Sequence, residues 1–170
     1  AGAGGLLLTQ GYRMERITVW LDPAASEKGH QTIQGLYAIG SGGLFGKGLG
    51  QSMQKLGFIP EANNDMIFSV ICEELGLFGA LCVLALFFAL IWRFMVIAVN
   101  APDLYGSMIV VGVIAHIGIQ VFINIAVATN TIPNTGIPLP FISYGGSSLV
   151  FMLLEMGLVL SVSRYINVKK

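Results

Sequence analysis

Charge is what this sequence has least of. Of 170 residues only nine are Lys or Arg and nine are Asp or Glu, a charged share of 11% against 55% hydrophobic. That balance excludes an ordinary soluble domain, and the absence of a basic excess argues against a nucleic-acid partner. Cysteine is scarce too. Cys72 and Cys82 lie ten residues apart on different faces of one predicted helix, which predicts neither a disulfide nor a metal site. With two histidines in the chain, no metal-ligand cluster is expected. A basic n-region followed by a cleavage site is also missing.

What is present is long apolar sequence. Leu75 to Trp92 runs for eighteen residues without a charge and Tyr105 to Thr129 for twenty-five, while Ser147 to Ser163 is seventeen residues interrupted only by Glu155. Each is near the length that crosses about 30 Å of hydrocarbon as a helix. The pattern predicts an all-α, polytopic membrane protein with spans at 66–98, 105–130 and 147–166. A polar turn at 99–104, carrying Asn100, Pro102 and Asp103, joins the first two, and a short tail occupies 167–170. Residues 1–10 have the character of the end of a further, truncated span, so the chain is expected to be a fragment.

Residues 11–65 form a predicted loop far longer than usual connections, and loops of that length are generally functional or disordered. Tyr12, Ile17, Val19, Trp20, Leu36, Tyr37 and Phe45 argue for order. Ile33, Leu36 and Tyr37 stand at helical spacing, predicting a short amphipathic helix lying on the membrane. Gly40 to Gly50 holds six glycines in eleven residues, but Lys47 is followed by Gly48, and the segment fails the phosphate-loop pattern. A tight turn with closely approaching backbones is favoured, and it could serve to aim Lys47 or Lys55.

Pro60 opens a polar corner, Glu61, Asn63, Asn64 and Asp65, that runs directly into the first span. Two explanations of Asp65 stand side by side. It is a good helix N-cap type, and it is also a carboxylate at the positive end of a helix dipole where water meets an apolar phase. Glu73 and Glu74 follow inside the apolar run, where a carboxylate needs a partner or a wet cavity. His116, Gln120 and Asn124, four residues apart, form a polar stripe on the second span. The stripe suits interhelical hydrogen bonding or substrate contact.

Residues 131–146 hold Pro133, Pro138, Pro140, Gly136, Gly145 and Gly146, and cannot form a regular helix. Their apolar content, including Ile137, Leu139 and Phe141, predicts a re-entrant-like loop dipping to membrane depth, on the same side as Asp65 because two spans separate them. The positive-inside count does not orient the chain. One side has Arg93, Arg164, Lys169 and Lys170, the other Arg13, Arg16, Lys28, Lys47 and Lys55.

The residues YRMERIT, WLDP, GHQTIQ, AIGSGG, GKGLGQS, PEANND, EELG, PNTGIPLP and ISYGGSS, in that order, resemble the shape, elongation, division and sporulation family typified by FtsW and RodA. GLGQS is closer to the division and sporulation branch than to the elongation branch. The resemblance implies a multi-pass protein of the bacterial cytoplasmic membrane with an extracytoplasmic loop at 11–65, a second at 131–146, and a cytoplasmic turn and tail. It implies a peptidoglycan glycosyltransferase that polymerises lipid II, the undecaprenyl-pyrophosphate-linked disaccharide, at the outer face. The implied partners are a class B penicillin-binding transpeptidase and other division-complex membrane proteins. Asp65 matches the essential acidic position and would be the general base. Lys55, Glu61, Arg13, Arg16, Ser143 and Tyr144 would meet the substrate. Snorkelling at the interface is the other explanation of the cations. No cofactor is implied beyond a divalent cation, magnesium or manganese, on the leaving pyrophosphate. Asn63-Asn64, where many relatives have His-Thr, and Glu155 depart from the family pattern. A lipid-precursor translocator, which would depend on the polar stripe more than on Asp65, and a noncatalytic transpeptidase scaffold are the competing classes.

Overall fold

A computed structural model describes residues 17–23, 29–51 and 65–166. The expectations for Arg13, Arg16, Lys55, Glu61, Asn63, Asn64 and the segments 1–10 and 167–170 lie outside the described residues. Among the described residues there are helices, turns and irregular segments, and no strand. A helical turn at 17–21 precedes α1 (His30–Ser41), α2 (Ile67–Val99), α3 (Leu104–Ala128) and α4 (Gly146–Arg164).

Helices α2, α3 and α4, of 33, 25 and 19 residues, are long and apolar enough to cross a membrane. At 1.5 Å per residue even α4 reaches about 28 Å. Their ends differ by one or two residues from the expected spans at 66–98, 105–130 and 147–166, as helix termini that fray allow. Phe87, Phe94 and Ala98 of α2 meet Val110, Val113, Ile117 and Val121 of α3 and Met152 and Val159 of α4 in one buried seam. The spacing of three or four along α3 is what a helix needs to present one face. Large apolar residues stay exposed on the outer faces, among them Leu81, Phe88, Trp92, Phe122, Phe151 and Leu160. That is the distribution of a helix whose solvent is lipid rather than water. The turn between α2 and α3 is closed by Asp103, whose Oδ2 accepts from Gly106 N at 2.9 Å as the α3 cap, and by Ser107 Oγ, which donates to Ala98 O at 2.8 Å.

The apolar pattern predicts one uninterrupted helix through 66–98, but α2 is broken at Gly76, whose backbone is at φ 69, ψ −169. A break at this point strands main-chain groups that apolar surroundings cannot satisfy. The glycine-rich segment supplies their partners. Lys47 N and Gly48 N donate to Glu73 O and Glu74 O at 2.9 and 3.0 Å, and Leu77 N and Phe78 N donate to Gly43 O and Leu44 O at 2.9 and 3.1 Å. Backbones approach so closely that a Cβ on Gly76 would stand 2.3 Å from Gly46 N, and one on Gly46 2.1 Å from Glu74 O. The glycines therefore serve chain-to-chain docking. Two of the amides a phosphate cradle would need are already bonded to carbonyls of α2.

Helix α1 packs on the first segment of α2 through small residues. Thr32, Gly35 and Ala38 are buried, and Gly35 faces Ser69 and Met66. Leu36 and Tyr37 are exposed on its other side, where a membrane-lying helix would carry them. Farther back, Trp20 Nε1 donates to Asn130 O at 2.9 Å, fastening the long loop to the end of α3.

Candidate active site at the meeting of three segments

The start of α2, the end of α3 and the loop before α4 lie at one end of the helix group, and the polar residues gather there. Asp65 sits just ahead of α2 and is only 6% exposed. The cap position itself is Met66, which makes no side-chain cap bond. Asn124, wholly buried on α3, donates from Nδ2 to two carbonyls, Asp65 O at 2.8 Å and Ile137 O at 2.9 Å. One amide therefore ties the backbone of the candidate base to the Pro/Gly loop. Val127 packs with Met66 and Val70 immediately alongside, and Ala128 with Phe68 and Cys72.

The loop owes its shape to proline, glycine and three side chains. Asn134 Oδ1 accepts from Gly136 N at 2.9 Å, and Gly136 turns the chain at φ 71. Ser143 closes the next bend: its N donates to Leu139 O at 3.1 Å, and its Oγ accepts from Leu139 N at 2.7 Å. Leu139, 2% exposed, is thereby held in the same buried seam as Phe87, Val110 and Met152, so the loop enters the helix packing rather than resting on it. Beside this bend lies an open groove of about 390 Å³ lined by Ile67, Phe141, Ile142, Ser143, Tyr144, Gly145, Gly146 and Leu149. Ile67 is two residues from Asp65, and Tyr144 is 82% exposed. An amphiphile could lay an apolar portion here with its polar end toward the start of α2.

The other residues singled out by sequence have separate surroundings. Glu73, wholly buried, receives Lys47 Nζ on its Oε1 at 2.6 Å. Glu74 Oε1 is buried and has no hydrogen-bond partner among the described residues. The stripe on α3 divides. Asn124 serves the loop junction, Gln120 Oε1 is buried with no partner among the described residues, and His116 Nδ1 lies 2.7 Å from Glu155 Oε1 of α4. Cys72 and Cys82 are free thiols, one buried and one exposed. The sequence reasoning missed the Lys47–Glu73 and His116–Glu155 pairings. A signal was available in both cases, because a carboxylate inside an apolar run must find a donor.

Among the described residues no three His, Cys, Asp or Glu come together, and Asp65 offers a single carboxylate. Magnesium bound through one carboxylate needs substrate phosphates or water to complete its shell.

Three apolar helices, a loop packed among them and a buried acidic residue at their common end define a polytopic α-helical membrane protein. The cell cycle protein family model that groups FtsW, RodA and SpoVE matches residues 3–168, and the chain belongs to that family. It is similar to Stage V sporulation protein E of Bacillus subtilis, with 55% identity over 169 residues covering 97% of this chain and 46% of that protein. It is also similar to a probable peptidoglycan glycosyltransferase FtsW of a Geobacter species, at 44% identity over 93% of this chain and 44% of the relative. Among solved structures, a chain of a peptidoglycan synthase complex studied for its coordination of polymerization and crosslinking matches with TM-score 0.71 and 32% identity, covering 93% of this chain and 43% of that one. The rod shape determining protein RodA of Thermus thermophilus matches with TM-score 0.60 and 39% identity, covering 78% and 39%. The chain thus spans less than half the length of these relatives.

Proposed function

We propose that this chain is the part of a peptidoglycan glycosyltransferase that carries its catalytic carboxylate, acting on lipid II during division or sporulation at the outer face of the cytoplasmic membrane. The observation that carries the proposal is the Asn124 amide shared between Asp65 O and Ile137 O. It ties the backbone of a buried aspartate to the loop whose Ser143 and Tyr144 line a groove reaching Ile67, which supports this reading. The names of the FtsW relatives support the reaction class.

In this mechanism Asp65 takes the proton from the 4-hydroxyl of the incoming sugar as that oxygen attacks the anomeric carbon of the growing chain. The bond from that carbon to the pyrophosphate oxygen breaks, and undecaprenyl pyrophosphate leaves. Lys55, Arg13 and Arg16 are assigned to the leaving-group charge, and Glu61 with Ser143 and Tyr144 to substrate placement. A class B penicillin-binding transpeptidase and other division-complex membrane proteins are the proposed partners, in keeping with the similarity to a synthase complex that couples polymerization to crosslinking.

The test is Asp65→Asn in the full-length protein, with polymerised glycan measured from purified lipid-linked precursor. Loss of a general base costs about 10² to 10⁴ in rate. The variant is expected to insert and bind its transpeptidase while polymerisation falls by at least about 10²-fold. Near-normal polymerisation would remove the base assignment. A translocator would polymerise nothing with either side chain, and a scaffold would be indifferent to both.

A further inference from the structure

We propose that Lys47 is a positioning residue for Asp65. Paired with Glu73, it locks the glycine loop into the break of α2 and so fixes the segment of α2 that starts two residues after Asp65. This rests on the glycan-polymerase reading, in which Asp65 does the chemistry.

The break at Gly76 makes α2 two rods, 67–75 and 77–99. Helical hydrogen bonding cannot hold their relative placement across such a break. The four main-chain bonds from residues 43–48 to residues 73–78 hold it instead. The ion pair closes the same junction. Lys47 Nζ reaches Glu73 Oε1 at 2.6 Å, with Glu73 wholly buried and the Lys47 side chain 35% exposed.

That asymmetry sets the direction of the effect. Removing Lys47 takes a cation away from a buried carboxylate, which is unfavourable, so water would be drawn in and the loop would lift. A partly exposed lysine deprived of its carboxylate is readily hydrated. The short rod is also what places Asp65. Met66 and Val70 pack on Val127, and Phe68 and Cys72 on Ala128, so a rod released at its Gly76 end shifts against the end of α3 and against Asn124. Lys47 thus acts on catalysis through the main chain, without touching substrate.

The experiment pairs amide hydrogen exchange at residues 43–48 and 77–78 with steady-state polymerisation of lipid-linked precursor by the full-length protein and its transpeptidase. Lys47→Met is expected to speed exchange and lower kcat, each by at least about tenfold, with KM changed by less than about threefold. Lys47→Arg should restore both. Glu73→Gln keeps an acceptor and removes the buried charge, so it should cost less than Lys47→Met. Faster exchange with unchanged kcat would overturn the proposal, as would lost kcat with unchanged exchange or a rise confined to KM. Should Lys47→Met fail to fold, the neutral pair Lys47→Met with Glu73→Gln replaces it, and fast exchange with normal kcat in that variant overturns the proposal equally. A wild type that polymerises nothing sinks the polymerase reading and this proposal together. Every other failure leaves wild-type polymerisation intact, so the two are distinguishable.

Discussion

Asn124 and Asp65 are 59 residues apart in sequence, yet the amide of one donates to the main-chain carbonyl of the other at 2.8 Å inside the protein. The same Nδ2 also holds Ile137 O at 2.9 Å. A side chain that holds two carbonyls at once, one buried and one half-buried, is costly to lose, because water cannot fully replace the donor.

Asn124→Leu should therefore destabilise the protein and misplace the site together. Each carbonyl left without a donor costs about 1 to 3 kcal/mol. Asn124 Oδ1 is itself buried with no partner among the described residues, so its removal returns part of that cost. Two losses against one relief leave a net destabilisation of about 2 kcal/mol. A lower thermal midpoint in detergent, together with polymerisation reduced by about tenfold or more, is the expected result. An unchanged midpoint would show that the shared amide contributes nothing to holding the loop.

How far this was legible in the sequence differs between residues. Three spans followed from charge-free runs, since nothing else accounts for twenty-five consecutive residues without Lys, Arg, Asp or Glu. The break at Gly76 was not legible: a glycine inside a helix costs only about 1 kcal/mol, and the apolar run continues past it on both sides. The break becomes necessary only once the glycine loop is seen bonding to the exposed main chain. Spacing of four placed His116, Gln120 and Asn124 in one line, but spacing cannot tell what each turn of the helix will face. Asn124 meets the loop junction and His116 meets α4, because that depends on the register between helices far apart in sequence.

Glu155 illustrates the same point and gives a second prediction. A bare ionised carboxylate at the bilayer centre costs at least about 2.5 kcal/mol, so a partner was required, and His116 Nδ1 at 2.7 Å provides it. Glu155→Gln retains a hydrogen-bonding group and should lower stability by about 0.6 to 1.7 kcal/mol at most, the range for hydrogen bonds between membrane helices. His116→Leu strands the carboxylate and should cost more, and the double variant should recover most of the difference. Thermal unfolding of the four proteins in detergent measures this. Abolished activity in Glu155→Gln at normal expression would instead favour the translocator class.

Ser143 and Tyr144 are adjacent, line one groove and should nevertheless fail differently. Ser143 Oγ accepts from Leu139 N at 2.7 Å, so Ser143→Ala removes the acceptor that holds a buried leucine in the helix seam. An unsatisfied buried amide costs about 1 to 3 kcal/mol, which should appear as a lower thermal midpoint accompanied by a lower kcat. Tyr144 is 82% exposed and carries none of that packing. Tyr144→Ala should leave the midpoint unchanged, within about 0.5 kcal/mol, because surface substitutions away from packed features usually do little. If its ring meets substrate at the groove, KM for the lipid-linked precursor should rise severalfold while kcat holds, the pattern of lost uniform binding. The two variants measured side by side separate the roles. Unchanged KM in Tyr144→Ala would take that residue out of substrate binding, and an unchanged midpoint in Ser143→Ala would show that the bend is held without its hydroxyl.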